Sequence, residues 1–168
     1  MKILIAGAGK VGSTVARQLA SEGHDLTLID SKQEVLERSL ERFDVMAVRG
    51  NCASMEILRQ AGIADADLLI AATSQDEINL LCCLSAHRLN KNIHTIARIR
   101  NPDYANQIYE MRETFALSLS VNPDKQAAAE IDRLLKYPGF LKREPFARGR
   151  VEIAELKVTE ESRLKGVA

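Results

Sequence analysis

The N-terminus of the chain contains a glycine-rich loop of the kind that binds phosphate. The loop consists of Gly7, Ala8, Gly9, Lys10, Val11 and Gly12, in the pattern G-x-G-x-x-G. The first glycine permits a tight turn, the second lets the backbone approach a pyrophosphate, and the third lets helix and strand pack closely. Free amides at the helix start then hold the anion. A plain strand–helix turn is the alternative, but the motif follows a predicted strand and opens a predicted helix, which favours a dinucleotide site.

An acidic residue stands where such a site reads the ribose. Asp30 ends the second predicted strand, about twenty residues beyond the loop. Its carboxylate can accept hydrogen bonds from both adenosine hydroxyls and would repel a 2′-phosphate, so NAD or NADH is favoured over NADP. Ser31 is expected in the same site and, with Glu34, in a capping box of the next helix. Two ordinary interpretations stay open: Asp30 as an exposed loop acid, and Lys32 as a surface lysine rather than a phosphate ligand.

Residues that follow the other predicted strands complete the candidate cleft, because ligands bind outside the carboxyl ends of the strands in such folds. They are Asn51 and Cys52 after the third strand, Ala72 and Thr73 after the fourth, and Arg98 at the end of the fifth. Asn51 could border the adenine or cap the following helix. Arg98 could bind phosphate oxygens with both guanidinium nitrogens or form a surface ion pair. For Arg100 the ion pair is favoured.

The sequence lacks the catalytic groups of a dehydrogenase, which needs a proton donor or acceptor beside the nicotinamide. His24, His87 and His94 all fall away from the carboxyl ends of the predicted strands. No metal-ligand spacing and no nucleophile with a nearby base is evident. A non-enzymatic binding module is therefore favoured. An NAD-dependent oxidoreductase, or its cofactor-binding domain, is the alternative, and a methyltransferase is a weaker third.

Strands and helices are predicted to alternate along the chain. The predicted strands are Lys2–Ala6, His24–Asp30, Asp44–Val48, Asp67–Ala72, Ile93–Arg98 and Leu117–Val121. The predicted helices are Lys10–Glu22, one that starts at Ser31 and buries Phe43, Ser54–Ala61, Gln75–Leu89 with a Ser74–Glu77 capping box, one capped by Asn101, and Pro123–Leu135. This alternation predicts an α/β fold, a Rossmann-like, doubly wound, parallel six-stranded sheet.

The alternation ends near the segment Tyr137-Pro138-Gly139, where we place a domain boundary. Residues 1–136 are predicted to form the nucleotide-binding domain and residues 137–168 a linker and the start of a small C-terminal subdomain. Val151–Val158 resembles a strand with a bulge. One strand cannot bury a core, so we expect this subdomain to be cut off or completed by another chain.

Composition excludes several functional classes. The hydrophobic content of 46% is too high for a disordered chain, and the formal net charge of zero gives no basic excess for nucleic acid. No apolar stretch approaches the roughly 20 residues of a membrane span. Cys52, Cys82 and Cys83 lack the spacing of a secreted disulfide framework, and the adjacent pair is predicted to lie in the core. We therefore expect a cytoplasmic protein.

The order and spacing of these features resemble the KTN/RCK family of regulatory domains over essentially the whole chain. The resembling segments are Met1–Gly12, Asp30, Gly50–Leu58, Ala61–Gly62, Asp65–Asp67, Ala72–Asn79, Ile96–Arg100, Tyr137–Gly139 and Phe146–Val151. The resemblance implies a cytosolic subunit, peripheral to the inner face of the membrane, that binds a nucleotide and gates a Trk-type potassium channel or transporter. It also implies homo-oligomers, as dimers or larger rings.

The family's ligand contacts carry over onto five places in this chain. They are Gly7–Val11, Asp30, Asn51, Thr73 and Arg98. The implied ligand is NAD, NADH or an adenine nucleotide such as ATP or ADP. Many family members have an acid where this chain has Asn51. The family's tandem members also carry two Rossmann units, so a single unit leads us to expect a fragment.

Overall fold

The computed structural model describes residues 1–136, 140–146 and 150–158. The chain divides into two compact units between Pro123 and Asp124. The first unit contains the six-stranded parallel sheet, in the order β3-β2-β1-β4-β5-β6. Its strands are β1 (Lys2–Ala6), β2 (Asp25–Asp30), β3 (Met46–Arg49), β4 (Leu68–Ala71), β5 (His94–Arg98) and β6 (Leu119–Val121). The predicted doubly wound Rossmann-like fold is confirmed.

Helices connect the strands in the predicted alternation. They are α1 (Lys10–Ser21), α2 (Gln33–Leu40), α3 (Met55–Gln60) with a 3₁₀ turn at Ile63–Asp65, α4 (Asp76–Leu89), α5 (Pro102–Met111) and α6 (Pro123–Lys136). Asn101 caps α5 as predicted, because its side chain accepts the amide hydrogen of Asp103 and Pro102 occupies the first helical position.

Two hydrophobic clusters cover the two faces of the sheet. Successive strand residues point to opposite faces, so Ile3 and Ile5 of β1 pack with α1 and α2, while Leu4 and Ala6 pack with α3, α4 and α5. Cys82 and Cys83 are fully buried in the second cluster, as their apolar helical surroundings predicted. Helices on both faces leave the carboxyl ends of the strands as the open edge of the sheet.

Both predicted capping boxes are wrong. Helix α2 begins at Gln33 with Lys32 as its N-cap, so Ser31 precedes the helix, and α2 ends at Leu40. Helix α4 begins at Asp76 with Gln75 as its N-cap, and neither cap makes a side-chain hydrogen bond. At the start of α4 the side chains make tertiary contacts: that of Asp76 accepts the amide hydrogens of Arg100 and Asn101, and that of Glu77 accepts the hydroxyl hydrogen of Tyr104.

The second unit contains most of α6 and a two-stranded antiparallel sheet. Strand β7 (Phe140–Phe146) was not predicted; it pairs with β8 (Val151–Leu156). The register shifts between Phe140 and Lys142, on β7 rather than on the strand where a bulge was predicted. The predicted break at 137–139 lies outside the described residues, and the domain boundary after residue 136 stays a prediction.

Candidate functional site

The candidate site lies where β1 and β4 are neighbours although they are not consecutive in sequence. The chain runs outward from β1 to β3 on one side and from β4 to β6 on the other. The loops after β1 and β4 therefore leave the sheet in opposite directions and open a crevice between them. The predicted site residues lie at this edge of the sheet, on loops, at strand ends or, for Lys10, Val11 and Gly12, in the first turn of α1.

The glycine-rich loop is built against the loop after β4. Gly7 has a φ of +93°, which strains any other residue, and its amide donates to the carbonyl of Ile29 at 2.7 Å. A Cβ on Gly7 would lie 2.8 Å from the amide nitrogen of Thr73. A Cβ on Gly12 would lie 1.8 Å from the carbonyl oxygen of Gly7. The positive φ of Gly7 fits the tight turn predicted for the first glycine, and the contact at Gly12 fits the close packing predicted for the third.

Gly9 differs, because it faces open space. Beyond Gly9 and its two chain neighbours, no atom lies within 4 Å of the position that a Cβ on Gly9 would occupy. Gly9 is the N-cap of α1 and supplies no side-chain cap, and the first turn contains no acidic residue. The amides of that turn have no carbonyl partner within the helix. Exposed Lys10 adds a positive charge at the positive end of the helix dipole, and an anion close by would stabilise this arrangement.

Asp30 is tied directly to this loop. Its Oδ2 accepts a hydrogen bond from the amide of Ala8 at 2.8 Å, and its Oδ1 accepts one from the amide of Lys32 at 2.9 Å. Asp30 is half-buried, whereas Lys32 is exposed. Each carboxylate oxygen keeps a further acceptor position. The Ala8 amide thus holds the acid in place, and ribose hydroxyls can still donate to it.

Two further residues adjoin Asp30, one next in the chain and one on the neighbouring strand. Ser31 is exposed in the turn after β2. Arg49 ends β3 opposite Asp30 in the parallel register, and its Nε donates to the carbonyl of Ser31 at 3.4 Å. Sequence reasoning missed Arg49, because it placed the end of β3 at Val48. Extending β3 by one residue, to Arg49, would have paired this residue with Asp30 on the neighbouring strand.

Asn51 and Cys52 follow β3 on the same edge of the sheet. The Oδ1 of Asn51 accepts the amide hydrogen of Ala53 at 3.0 Å, while the N-cap of α3 is Ser54. Asn51 therefore stabilises the turn before α3 and is not the cap that was considered. Cys52 is buried, and its thiol interacts with that of Cys82, which lowers the pKa of Cys52. Burial raises the pKa of Cys83 to about 12, so that thiol stays protonated.

Asn79 organises the other half of the crevice. Its side chain is fully buried, and its Oδ1 accepts hydrogen bonds from the amide of Thr73 at 2.9 Å and from its hydroxyl at 2.7 Å. Its Nδ2 donates to the carbonyl of Arg98 at 2.8 Å. One side chain thus joins the loop after β4 to the end of β5. Asn79 lies in one of the segments that resemble the family, but its role could not be predicted from the sequence, since its partners come from distant positions.

Arg98 is half-buried and incompletely paired. Its Nη1 donates to the carbonyl of Thr73 at 3.2 Å, and its buried Nε has no hydrogen-bond partner. Among the described residues it forms no salt bridge, so the ion pair considered for it is not observed there. Ala72 is buried next to this contact. The guanidinium of Arg100 lies further out, with Nη2 donating to the carbonyl of Ser74 at 2.6 Å.

A second polar contact joins α4 to α5 outside the crevice. The hydroxyl of Tyr104 donates to Oε1 of Glu77 at 2.7 Å. This bond lowers the pKa of Glu77 and raises that of Tyr104. The two helices also line an apolar cavity of about 310 Å³, bounded by Leu80, Ile108 and their neighbours. The described residues contain no group of three or more His, Cys, Asp or Glu placed to hold a metal ion.

The parallel sheet, the glycine loop at its switch point and the acid joined to that loop define a Rossmann-type nucleotide-binding domain. The TrkA-N domain family model matches residues 3–119, and the chain belongs to this family. The chain is 39% identical, over its whole length, to the Trk system potassium uptake protein TrkA of Haemophilus influenzae. The resemblance to KTN/RCK regulatory domains is thereby confirmed.

Solved structures agree with this assignment. The TrkA-N domain of the inner membrane protein ybaL from Escherichia coli superposes with a TM-score of 0.71, at 28% identity over 80% of this chain and 96% of that one. The GsuK RCK domain gives a TM-score of 0.67, at 26% identity over 82% of this chain and 28% of that one. The chain spans only 37% of the length of the Haemophilus relative. Within the described residues, no helix has the length and apolar character needed to cross a membrane.

Proposed function

We propose that this chain is a nucleotide-sensing domain that binds NAD(H) or an adenine nucleotide and so regulates a membrane potassium channel or transporter. The observation that carries the proposal is the bond between Asp30 and the amide of Ala8. It joins a ribose-reading acid to a phosphate-binding loop in one rigid unit. A ligand that carries both an adenosine ribose and a diphosphate spans that unit.

The proposed ligand lies across the carboxyl edge of the sheet. Its diphosphate rests on the open surface at Gly9 and the first turn of α1, where Lys10 adds positive charge. Its adenosine ribose bonds Asp30, with Ser31 beside it and Asn51 and Cys52 bordering the adenine. We assign the half of the crevice around Ala72, Thr73 and Arg98 to the rest of the ligand.

Arg98 is the proposed cation for a second phosphate or for the far half of a dinucleotide. Its side chain has one weak contact and one unpartnered buried nitrogen, so an anion would improve its hydrogen bonding. GsuK, which shares this fold, has been solved bound to NAD and bound to ADP. We propose the same two ligand classes for this chain.

Regulation is favoured over catalysis. Thr73 has its amide and hydroxyl occupied by Asn79, and the crevice half that would hold a nicotinamide has no histidine among the described residues. The curated relative is a potassium uptake protein. A regulatory ligand must bind two conformations with different affinity, because equal affinity shifts nothing. We propose a cytoplasmic homo-oligomer that reaches the membrane through its transporter partner.

Two measurements on the purified chain test this proposal. Equilibrium binding of NADH, NAD, ATP and ADP is expected to show a saturable site for which the ligands compete. Incubation with NADH and a panel of carbonyl compounds is expected to give no turnover. Absence of binding by all four nucleotides would remove the sensing function. Sustained, substrate-specific oxidation of NADH would instead establish the oxidoreductase alternative.

A further inference from the structure

Arg49 is the register partner of Asp30, the proposed ribose-reading acid, on the neighbouring strand. Asp30 and Arg49 are register partners on the parallel strands β2 and β3, and the amide of Gly50 extends the ladder by donating to the carbonyl of Asp30 at 2.9 Å. Paired residues on adjacent strands project from the same face of a sheet. The Nε of Arg49 contacts the carbonyl of Ser31. The guanidinium therefore extends over the turn that follows Asp30.

Most of the hydrogen-bonding capacity of Arg49 is unused in these contacts. A guanidinium carries five N–H donors in a planar fork, and the contact with Ser31 uses one of them. The side chain is exposed, as is that of Lys32 in the same turn. The adenosine end of the crevice thus has one carboxylate and two neighbouring cations. Such a fork is suited to phosphate oxygens.

This inference rests on the proposed function, which puts the adenosine ribose on Asp30. A group attached to the 2′-oxygen of that ribose would then project toward the turn at residues 30–32, under the guanidinium of Arg49. A 2′-phosphate in that position meets two opposing effects. The carboxylate of Asp30 repels it, whereas Arg49 and Lys32 attract it.

We propose that the chain contains a latent 2′-phosphate subsite whose specificity-determining cation is Arg49, and that Asp30 alone prevents its use. Neutralising Asp30 is then sufficient to move the ligand preference from NADH to NADPH. No new cation has to be introduced, because Arg49 is already in place.

The experiment compares NADH and NADPH binding to the full chain carrying four sets of substitutions, measured by titration calorimetry. The variants are Asp30→Asn, Arg49→Gln, the double substitution Asp30→Asn/Arg49→Gln, and the control Arg59→Gln on α3. Asp30→Asn removes the negative charge of Asp30 and weakens the hydrogen bond to the Ala8 amide. Both effects are present in the single Asp30→Asn variant and in the double variant. The effect of Arg49 is therefore read within the Asp30→Asn background.

Asp30→Asn is expected to bind NADPH at least as tightly as NADH. Adding Arg49→Gln to it is expected to weaken NADPH binding about tenfold, the loss of roughly one charge-assisted hydrogen bond, with little effect on NADH. Arg59→Gln is expected to change neither affinity. NADPH binding that is insensitive to Arg49→Gln in the Asp30→Asn background would overturn the inference while wild-type NADH binding upholds the proposed function. Failure of the wild type to bind any nucleotide would overturn both.

Discussion

The carboxylate of Asp30 and the amide of Ala8 are joined by a 2.8 Å hydrogen bond between residues 22 positions apart in the chain. This bond fixes the glycine-rich loop to the end of β2. The acid is therefore part of the structure of the loop as well as a candidate ligand for ribose. Any change at Asp30 is expected to alter the loop before a ligand is added.

We expect Asp30→Ala to speed hydrogen exchange at the Ala8 amide, because that amide loses its acceptor and becomes open to water. Exchange followed by NMR on the ligand-free chain measures this, with Asp25→Ala at the exposed start of β2 as the matched control. The rate at Ala8 should rise by about an order of magnitude or more, as expected for loss of a charge-assisted bond of roughly 1.5 to 3 kcal/mol. Unchanged protection would mean that the bond does not hold the loop in solution.

Asn79→Ala is expected to destabilise the fold. It would leave the amide of Thr73 and the carbonyl of Arg98 without their partner in a buried site. We expect a loss of about 3 kcal/mol in the free energy of unfolding, measured by denaturant titration. The control Asn92→Ala removes an exposed side chain and should change stability by less than about 0.5 kcal/mol. Equal effects of the two substitutions would contradict the role given to Asn79.

We expect the hydrogen bond between Tyr104 and Glu77 to make the stability of the fold depend on pH. Because the hydrogen bond lowers the pKa of Glu77, it stabilises the fold above the ordinary pKa of that carboxyl and is lost as pH falls through the lowered value. Tyr104→Phe should raise the pKa of Glu77 toward its ordinary value, as followed by NMR titration. The stability difference between wild type and variant should shrink at acidic pH. Tyr109→Phe is the control, and a Glu77 pKa unaffected by Tyr104→Phe would rule out the contact.

We expect the chain to self-associate through helix α6. Three of its apolar side chains are strongly exposed: Ile131 at 58%, Leu134 at 54% and Leu135 at 77%. Covering such a surface with a second copy would remove it from water. Light scattering at micromolar concentration should report at least a dimer, and Ile131→Lys/Leu135→Lys should weaken it while Gln126→Lys does not. A monomer at all accessible concentrations would contradict the proposed homo-oligomer.

The fold could be predicted from the sequence, and so could the half of the site that the glycine-rich loop and Asp30 form, because each depends on local signals. The alternation of strands and helices predicted the sheet, and the spacing of the glycines predicted the loop that contains Gly7 and Gly12. The other half depends on contacts between distant positions. Asn79 bonds Thr73 and Arg98, and Arg49 meets Ser31, through the packing of strands that no local pattern specifies. The start of α4 also depends on distant contacts, since Asp76 accepts the amide hydrogens of Arg100 and Asn101.

Whether the glycine-rich loop binds the diphosphate of a nucleotide is measured by NADH and ATP calorimetry on wild type and Gly9→Val. The Cβ of a valine there would have no atom within 4 Å beyond its chain neighbours, and the φ of −67° is an ordinary one, so the fold should be preserved, with a melting temperature close to that of wild type. Its side chain would occupy the surface assigned to the diphosphate, and affinity should fall by roughly a hundredfold, about 2.7 kcal/mol. Gly12→Ala is the contrasting control, since its Cβ would clash with Gly7 and should destabilise the fold itself. Undiminished nucleotide affinity in a folded Gly9→Val chain would show that the diphosphate does not lie on the glycine-rich loop.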